Sequence, residues 1–195
     1  NAEHADRLVS GYFRFGNLMY YRLLELVYQD KWIGDRDEGQ FRTVLDKGTI
    51  DGNDPASNTM RQRAHEMGIY VGQNAHVILE NIQLISNFEG FVFCFSNGDL
   101  KTLQESMASR DSGLGSYDSC VEIADPEELL RLISDNGVDT KSGKHVSELF
   151  GKPSFDSVRY QDNSVSIHDS PALPASPFIK KVMYQAQREA RIVLP

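Results

Sequence analysis

The sequence predicts an α+β domain with a mainly antiparallel or mixed sheet and interspersed helices. Three observations lead there. Many short runs carry the apolar and β-branched residues of strands, bounded by Gly, Pro, Asn and Asp. Between them lie segments with apolar residues at helical spacing and clear start signals, as at Asp125-Pro126-Glu127. The closing segment, Tyr184 to Leu194, alternates so that Gln187, Glu189 and Arg191 share one face, although Glu, Gln and Ala are better helix formers than strand formers. No regular strand–helix–strand repeat and no heptad pattern is present.

Taken in order, residues 10–15 (Ser-Gly-Tyr-Phe-Arg-Phe) predict a first strand ending at Gly16. Asn17 is a fitting N-cap for a helix to Tyr28, with Leu18, Tyr21, Leu24 and Val27/Tyr28 at helical spacing. Residues 34–39 form a turn-rich acidic loop. Phe41–Leu45 predicts a short strand, and 46–58 a flexible polar stretch containing Gly48, Gly52 and Pro55. Strands are expected at 69–72, 76–84, 91–96 and 119–124, with a polar helix at 99–109. A helix runs from Asp125-Pro126 to Ser134 and is closed by Asn136-Gly137. Residues 146–150 are ambiguous. Strands follow at 157–161 and 164–168, then a rigid Pro-rich connector at 170–177, a helix at 178–184 and the final strand.

At 195 residues the chain is long enough for one domain over 1–195, with either end open to truncation. The net charge of -8 argues against a broad nucleic-acid surface, leaving only a local basic groove around Arg61 and Arg63. No apolar run approaches the roughly 20 residues that span a bilayer, so no membrane association is expected. Asn1-Ala-Glu-His reads as neither a signal peptide nor a natural start. Cys94 and Cys120 both fall in predicted strands, without the spacing of a disulfide framework or a zinc site. Buried free thiols in a cytoplasmic protein are the expectation.

The sequence contains no P-loop, Rossmann fingerprint, HExxH or nucleophile elbow. The five histidines lie far apart, and no metal site is expected from them. Asp35, Asp37 and Glu38 form an acidic loop that either binds a cation or is a solvated turn capping backbone amides. Ser96 ends an apolar strand, where folds often present polar groups to a ligand. Tyr117 follows the Gly-rich segment 113–116, which could lie over a bound molecule. Arg14, between Phe13 and Phe15, is either a surface residue or an anion clamp. A carboxylate beside an amide, as in Gln187-Arg188-Glu189, can grip a ribose hydroxyl and steady a developing cation. The plain alternative is the wet face of an edge strand.

Phe13-Arg-Phe-Gly-Asn-Leu-Met-Tyr-Tyr-Arg followed by Ile33-Gly-Asp-Arg-Asp-Glu-Gly resembles the opening of a large, poorly characterised bacterial domain family. Cys94-Phe95-Ser96, Tyr117 with Val121 and Ile123, and the closing Lys181, Tyr184, Gln187, Glu189 and Arg191 continue that resemblance. The chain departs in having Gln187 where acidic residues are common, and Asp118 where Gly often follows the Tyr. The same order of motifs is similar to the ADP-ribosyltransferase fold. That resemblance implies NAD as substrate, with Arg14, Ser96 and Tyr117 binding it. It implies Glu189 as the catalytic carboxylate, Gln187 orienting the acceptor, and a structural Arg191. The implied activity is ADP-ribosyl transfer to a protein or nucleic-acid acceptor, in a toxin with a cognate antitoxin or an antiphage effector. Two other readings stay open: a metal-dependent hydrolase or nuclease using Asp35, Asp37 and Glu38, and a non-catalytic sensor or interaction domain.

Overall fold

The computed structural model describes residues 2–28, 35–107, 119–166 and 175–195. Along the chain these form α1 (Ala2–Val9), β1 (Gly16–Asn17), α2 (Leu18–Tyr28), β2 (Gln40–Asp51), a 3-10 turn (Pro55–Ser57), α3 (Asn58–Glu66), β3 (His76–Asn87) and β4 (Phe91–Ser96). Then come α4 (Leu100–Met107), α5 (Pro126–Asn136), α6 (Val146–Leu149), β5 (Ser154–Ser157), β6 (Arg159–Tyr160), β7 (Ser164–Ser166) and β8 (Ile179–Lys180). A 3-10 helix (Val182–Gln187) leads into β9 (Glu189–Leu194). Helices and mixed sheets make this an α+β protein. The chain divides into two compact units, one of Asn1–Glu38, Glu89–Gln161 and Pro177–Pro195, the other of Gly39–Phe88 and Asp162–Ser176.

The first unit is organised by a four-stranded antiparallel sheet in the order β1-β4-β9-β5. Phe91, Phe93 and Phe95 stand across from Leu194, Ile192 and Ala190. Ile192 and Leu194 join Ile133 of α5 and Val146 of α6 in a core to which the three phenylalanines, Phe150 and Phe155 add. Each fully buried aliphatic side chain contributes about 1.5–3 kcal/mol. The intervening positions, Cys94, Ser96, Glu189 and Arg191, therefore turn to the other face, because strand side chains alternate. The core thus fixes the register of the polar face.

Helix α5 forms as its sequence dictates. The Asp125 carboxylate accepts from the Glu128 amide at 2.9 Å, and Pro126 opens the helix. Its end is closed by the Gly137 amide donating to the Ile133 carbonyl at 2.9 Å. A Cβ on Gly137 would lie 2.3 Å from that carbonyl oxygen, so the tight exit requires glycine. Asp125→Ala is expected to cost about 1 kcal/mol, or about 2–4 °C in Tm, in a thermal melt; an unchanged Tm would show the cap to be dispensable.

In the second unit β2 lies between β3, antiparallel, and β7, parallel. Leu45, Ile50, Ala64 and Leu79 form its core, with Met60 and Val77 packed against them.

Several elements differ from the sequence expectation. Residues 10–15 are not a strand: the chain begins in a helix, and the Tyr12 amide donates to the Arg7 carbonyl around Gly11 at φ 84°, a Schellman-type stop. The expected strand 41–45 extends to Asp51, because residues 47–51 also pair with β3, including Lys47 opposite Glu80. Residues 69–72 are not a strand, and β3 covers 76–87. Residues 119–124 alternate like a strand but pair with none among the described residues. The strand expected at 157–161 breaks at Val158, whose amide donates to the Glu189 carbonyl, after which Arg159 and Tyr160 pair with β8. Residues 178–184 are not one helix but β8 and the start of the 3-10 helix. The ends of the expected elements at 99–109 and 164–168, and most of the connector 170–177, lie outside the described residues.

Candidate active site

Strand β9 is flanked on both sides, and all six of its residues are buried. The alternative of a wet edge strand therefore does not hold, because β9 lies inside its sheet. Glu189 stands opposite Ser96 and Arg191 opposite Cys94. Gln187 is not on the strand; it ends the preceding 3-10 helix, and Arg188 joins the two in the left-handed region at φ 45°. That turn still brings the Gln187 and Glu189 side chains together. Lys180 Nζ donates to Gln187 Oε1 at 2.8 Å and to Glu189 Oε2 at 2.9 Å.

Around Glu189 lies a buried network of two cations and two anions. Arg191 Nε donates to Glu189 Oε1 at 2.5 Å, while its Nη2 pairs with Glu38 and its Nη1 donates to the Pro177 carbonyl. Lys180 Nζ is also 3.6 Å from Glu38 Oε2 and 4.9 Å above the Tyr184 ring. Arg191 is 1% exposed, Glu38 2%, Lys180 4% and Glu189 8%, so none of these charges is tolerable without the others. The strand backbone is held as well: the Glu189 amide donates to the Tyr160 hydroxyl at 2.7 Å. Glu38 is presented by the 36–39 turn, whose carbonyl at Glu38 accepts from Arg22 of α2 at 2.6 Å.

Burial alone would raise the Glu189 carboxyl, but the Arg191 and Lys180 charges outweigh it and bring it down to about 2. Glu189 is thus a carboxylate at any ordinary pH. Desolvation opposes the Lys180 charge, and Glu38 and Glu189 restore it above the usual lysine value. The Cys94 surface faces into a recess, so protein encloses the thiol although it is accessible. That desolvation and the Glu189 charge push it well above the usual range, which keeps it a thiol.

The acidic loop is not a solvated turn: Asp35, Asp37 and Glu38 are all buried. Asp35 Oδ1 caps the Asp37 amide at 2.9 Å, Asp37 pairs with Lys181 and lies 3.7 Å from Arg36, and Glu38 is taken by Arg191. Among the described residues no three His, Cys, Asp or Glu side chains are grouped to hold a metal ion. Burial, followed by the Glu38 charge, raises the Asp35 carboxyl from 3.8 to about 6. A carboxyl raised in the folded state stabilises below its unfolded value and loses that contribution as pH rises through the folded one. Stability is therefore expected to fall between pH 3.8 and about 6 by on the order of 3 kcal/mol from this group. Asp35→Asn is expected to raise Tm at pH 8 and leave it nearly unchanged at pH 3.5, at about that scale; melts showing no pH-dependent difference would contradict this.

The network forms the floor of a cavity of about 870 Å³. Glu38, Lys180, Gln187, Glu189 and Arg191 supply polar groups on one face of the sheet, and round the edge of β4 the lining continues to Phe13, Phe93 and Phe95 on the apolar side. Tyr21, the end of α1, residues 119–125 and one side of α5 add to the lining. The cavity follows β4 beyond Val92, where pairing with β1 stops. An apolar recess with a few convergent charged groups is the usual form of a small-molecule site.

Of the residues proposed from sequence, Ser96, Gln187 and Glu189 line this cavity. Arg14 does not: it is exposed, because Phe13 and Phe15 pack on Phe93 and turn it away. Tyr117 lies outside the described residues. Sequence reasoning missed Lys180 and Tyr21, and it did not join Glu38 to Glu189. A buried Lys beside an exposed-looking one gives no local signal, and the partner of Glu38 is 153 residues away. No described helix is long and apolar enough to cross a membrane. Comparison with known proteins gives no matching family model, no matching curated protein and no matching solved structure.

Proposed function

We propose that this protein is an NAD-dependent ADP-ribosyltransferase acting on a macromolecular target, protein or nucleic acid. The observation that carries the reading is Glu189, held ionised beside the Gln187 amide at the floor of a largely apolar cavity. In the proposed reaction the bond between ribose C1′ and the nicotinamide nitrogen breaks, and its electron pair leaves with nicotinamide. The Glu189 carboxylate binds the ribose 2′-hydroxyl and stabilises the cationic transition state electrostatically. A nucleophilic atom of the acceptor then bonds C1′ and loses its proton, with Gln187 orienting it. Ser96, across the ladder from Glu189 and on the same face, is on hand for the nicotinamide carboxamide. The fit is with the nicotinamide–ribose end of NAD; Arg14, outside the lining, gives it no support. A toxin or antiphage effector is the setting that suits such an activity.

One observation favours a second reading, a non-catalytic sensor. Both Glu189 oxygens already accept from the protein's own cations, Arg191 and Lys180. Titration with NAD, followed by thermal shift and by nicotinamide release, separates the two readings. A ligand that binds the folded state at 100 times its Kd stabilises it by about 2.7 kcal/mol. Stabilisation with nicotinamide release is expected for the transferase, stabilisation alone for the sensor. Neither effect would overturn both.

A further inference from the structure

We infer that Tyr21 is a second substrate-contacting residue of this cavity, its phenolic O–H donating a hydrogen bond to a substrate oxygen beside Glu189. The inference rests on the cavity being the active site proposed above. By spacing, Tyr21 belongs with Leu18 and Leu24 on the inner side of α2, and both of those are buried in the core. Tyr21 instead lines the cavity. Its ring is seated against Gly16: a Cβ there would lie 2.4 Å from the phenolic oxygen and 2.6 Å from ring atoms. Gly16 cannot easily yield, because it is paired with Val92 in the sheet. Only glycine at this position lets the phenol occupy its place.

The cavity floor is otherwise poor in available donors. Glu38 and Glu189 are paired acceptors, and the Lys180 and Arg191 N–H groups are engaged by those carboxylates, by Gln187 and by the Pro177 carbonyl. Among the described residues nothing hydrogen-bonds the Tyr21 hydroxyl. It lies within electrostatic reach of Cys94, Glu189, Glu38 and Arg191, all of which also line the cavity. Burial first, and then the neighbouring Cys94, Glu189 and Glu38 charges, raise the phenol above its usual value and keep its proton on. A neutral O–H held in place beside an ionised carboxylate complements it: one binds a hydroxyl as acceptor, the other an oxygen as donor.

The test compares Tyr21→Phe, Gly16→Ala and, as a control, the exposed neighbour Tyr20→Phe in NAD turnover, with a thermal melt of each. Tyr21→Phe is expected to lower kcat about 100-fold, the scale of removing one preorganised donor, with KM and Tm little changed. Gly16→Ala should fall similarly because it displaces the same phenol, and Tyr20→Phe should stay within about twofold. An active wild type with Tyr21→Phe equally active overturns the Tyr21 inference and leaves the transferase reading standing. A wild type inert toward NAD overturns the transferase reading. The substrate contact of Tyr21 falls with it, and the seating of the phenol against Gly16 is tested separately by following 13Cζ-labelled tyrosine through a pH titration. The Tyr21 resonance should titrate above the ordinary tyrosine value in the wild type and closer to it in Gly16→Ala; an ordinary wild-type titration unmoved by Gly16→Ala would refute its placement.

Discussion

Arg191→Leu is expected to produce the largest loss of stability of any single change in the first unit. The guanidinium spans Glu189, Glu38 and the Pro177 carbonyl, and all of these contacts are buried. Removing it leaves two buried carboxylates against the single charge of Lys180. Breaking a buried pair in this way costs about 3–5 kcal/mol, a large share of the roughly 5–15 kcal/mol that holds a domain folded. The melting temperature should fall by about 10 °C or more, or the protein should fail to accumulate. Arg191→Lys keeps the charge but not the planar fork, so an intermediate loss is expected. Pairing Arg191→Leu with Glu38→Leu should recover part of the deficit, because the double change removes an unpaired charge as well. A thermal melt of Arg191→Leu within a degree or two of wild type would show that the network contributes little.

Glu189→Gln is expected to have the largest effect on activity. The substitution keeps the shape of the side chain and one oxygen acceptor but removes the charge that favours a cationic transition state. Losing preorganised electrostatic stabilisation of this kind costs about 100- to 1000-fold in kcat. The same change leaves Lys180 and Arg191 sharing Glu38 alone, so some stability is lost too. Activity is therefore compared well below the melting temperature, with circular dichroism to establish that the variant is folded. Because burial is outweighed by Arg191 and Lys180, the Glu189 carboxyl lies at about 2. Its stabilising contribution is present above the unfolded glutamate value of 4.5 and is lost as pH falls toward 2. Turnover should therefore show no acid limb near pH 4 from this group.

The elements that were legible in the sequence are those whose signals are local. The Asp125-Pro126 start and the apolar run of β4 each depend on a few adjacent residues, and each forms where expected; the alternation of the closing segment gives a strand only from Glu189 on, because Val182–Gln187 wind into a 3-10 helix. The extension of β2 to Asp51 has no such local signal, because Lys47 and Gly48 are strand residues only through their pairing with β3. The converse holds for 119–124, which alternate without a partner strand. At the site, Glu189 and Gln187 could be picked out as a carboxylate beside an amide. The burial of Glu189 could not, since it follows from β5 and β4 flanking β9 on both sides. Glu38 is visible in sequence as one of three carboxylates, open to a cation or to a solvated turn; its actual partners, Arg191 and Lys180, come from the far end of the chain. Lys180 and Lys181 look alike in sequence; the short β8 strand sends the first to Glu189 and the second to Asp37.

Incubation of the purified wild-type protein with NAD, with nicotinamide release followed over time, bears on the role of Glu189 at once. Release by the wild type, with a loss of at least about 100-fold in folded Glu189→Gln, is the predicted result. Equal release by the two proteins, or none by the wild type at saturating NAD, would contradict it.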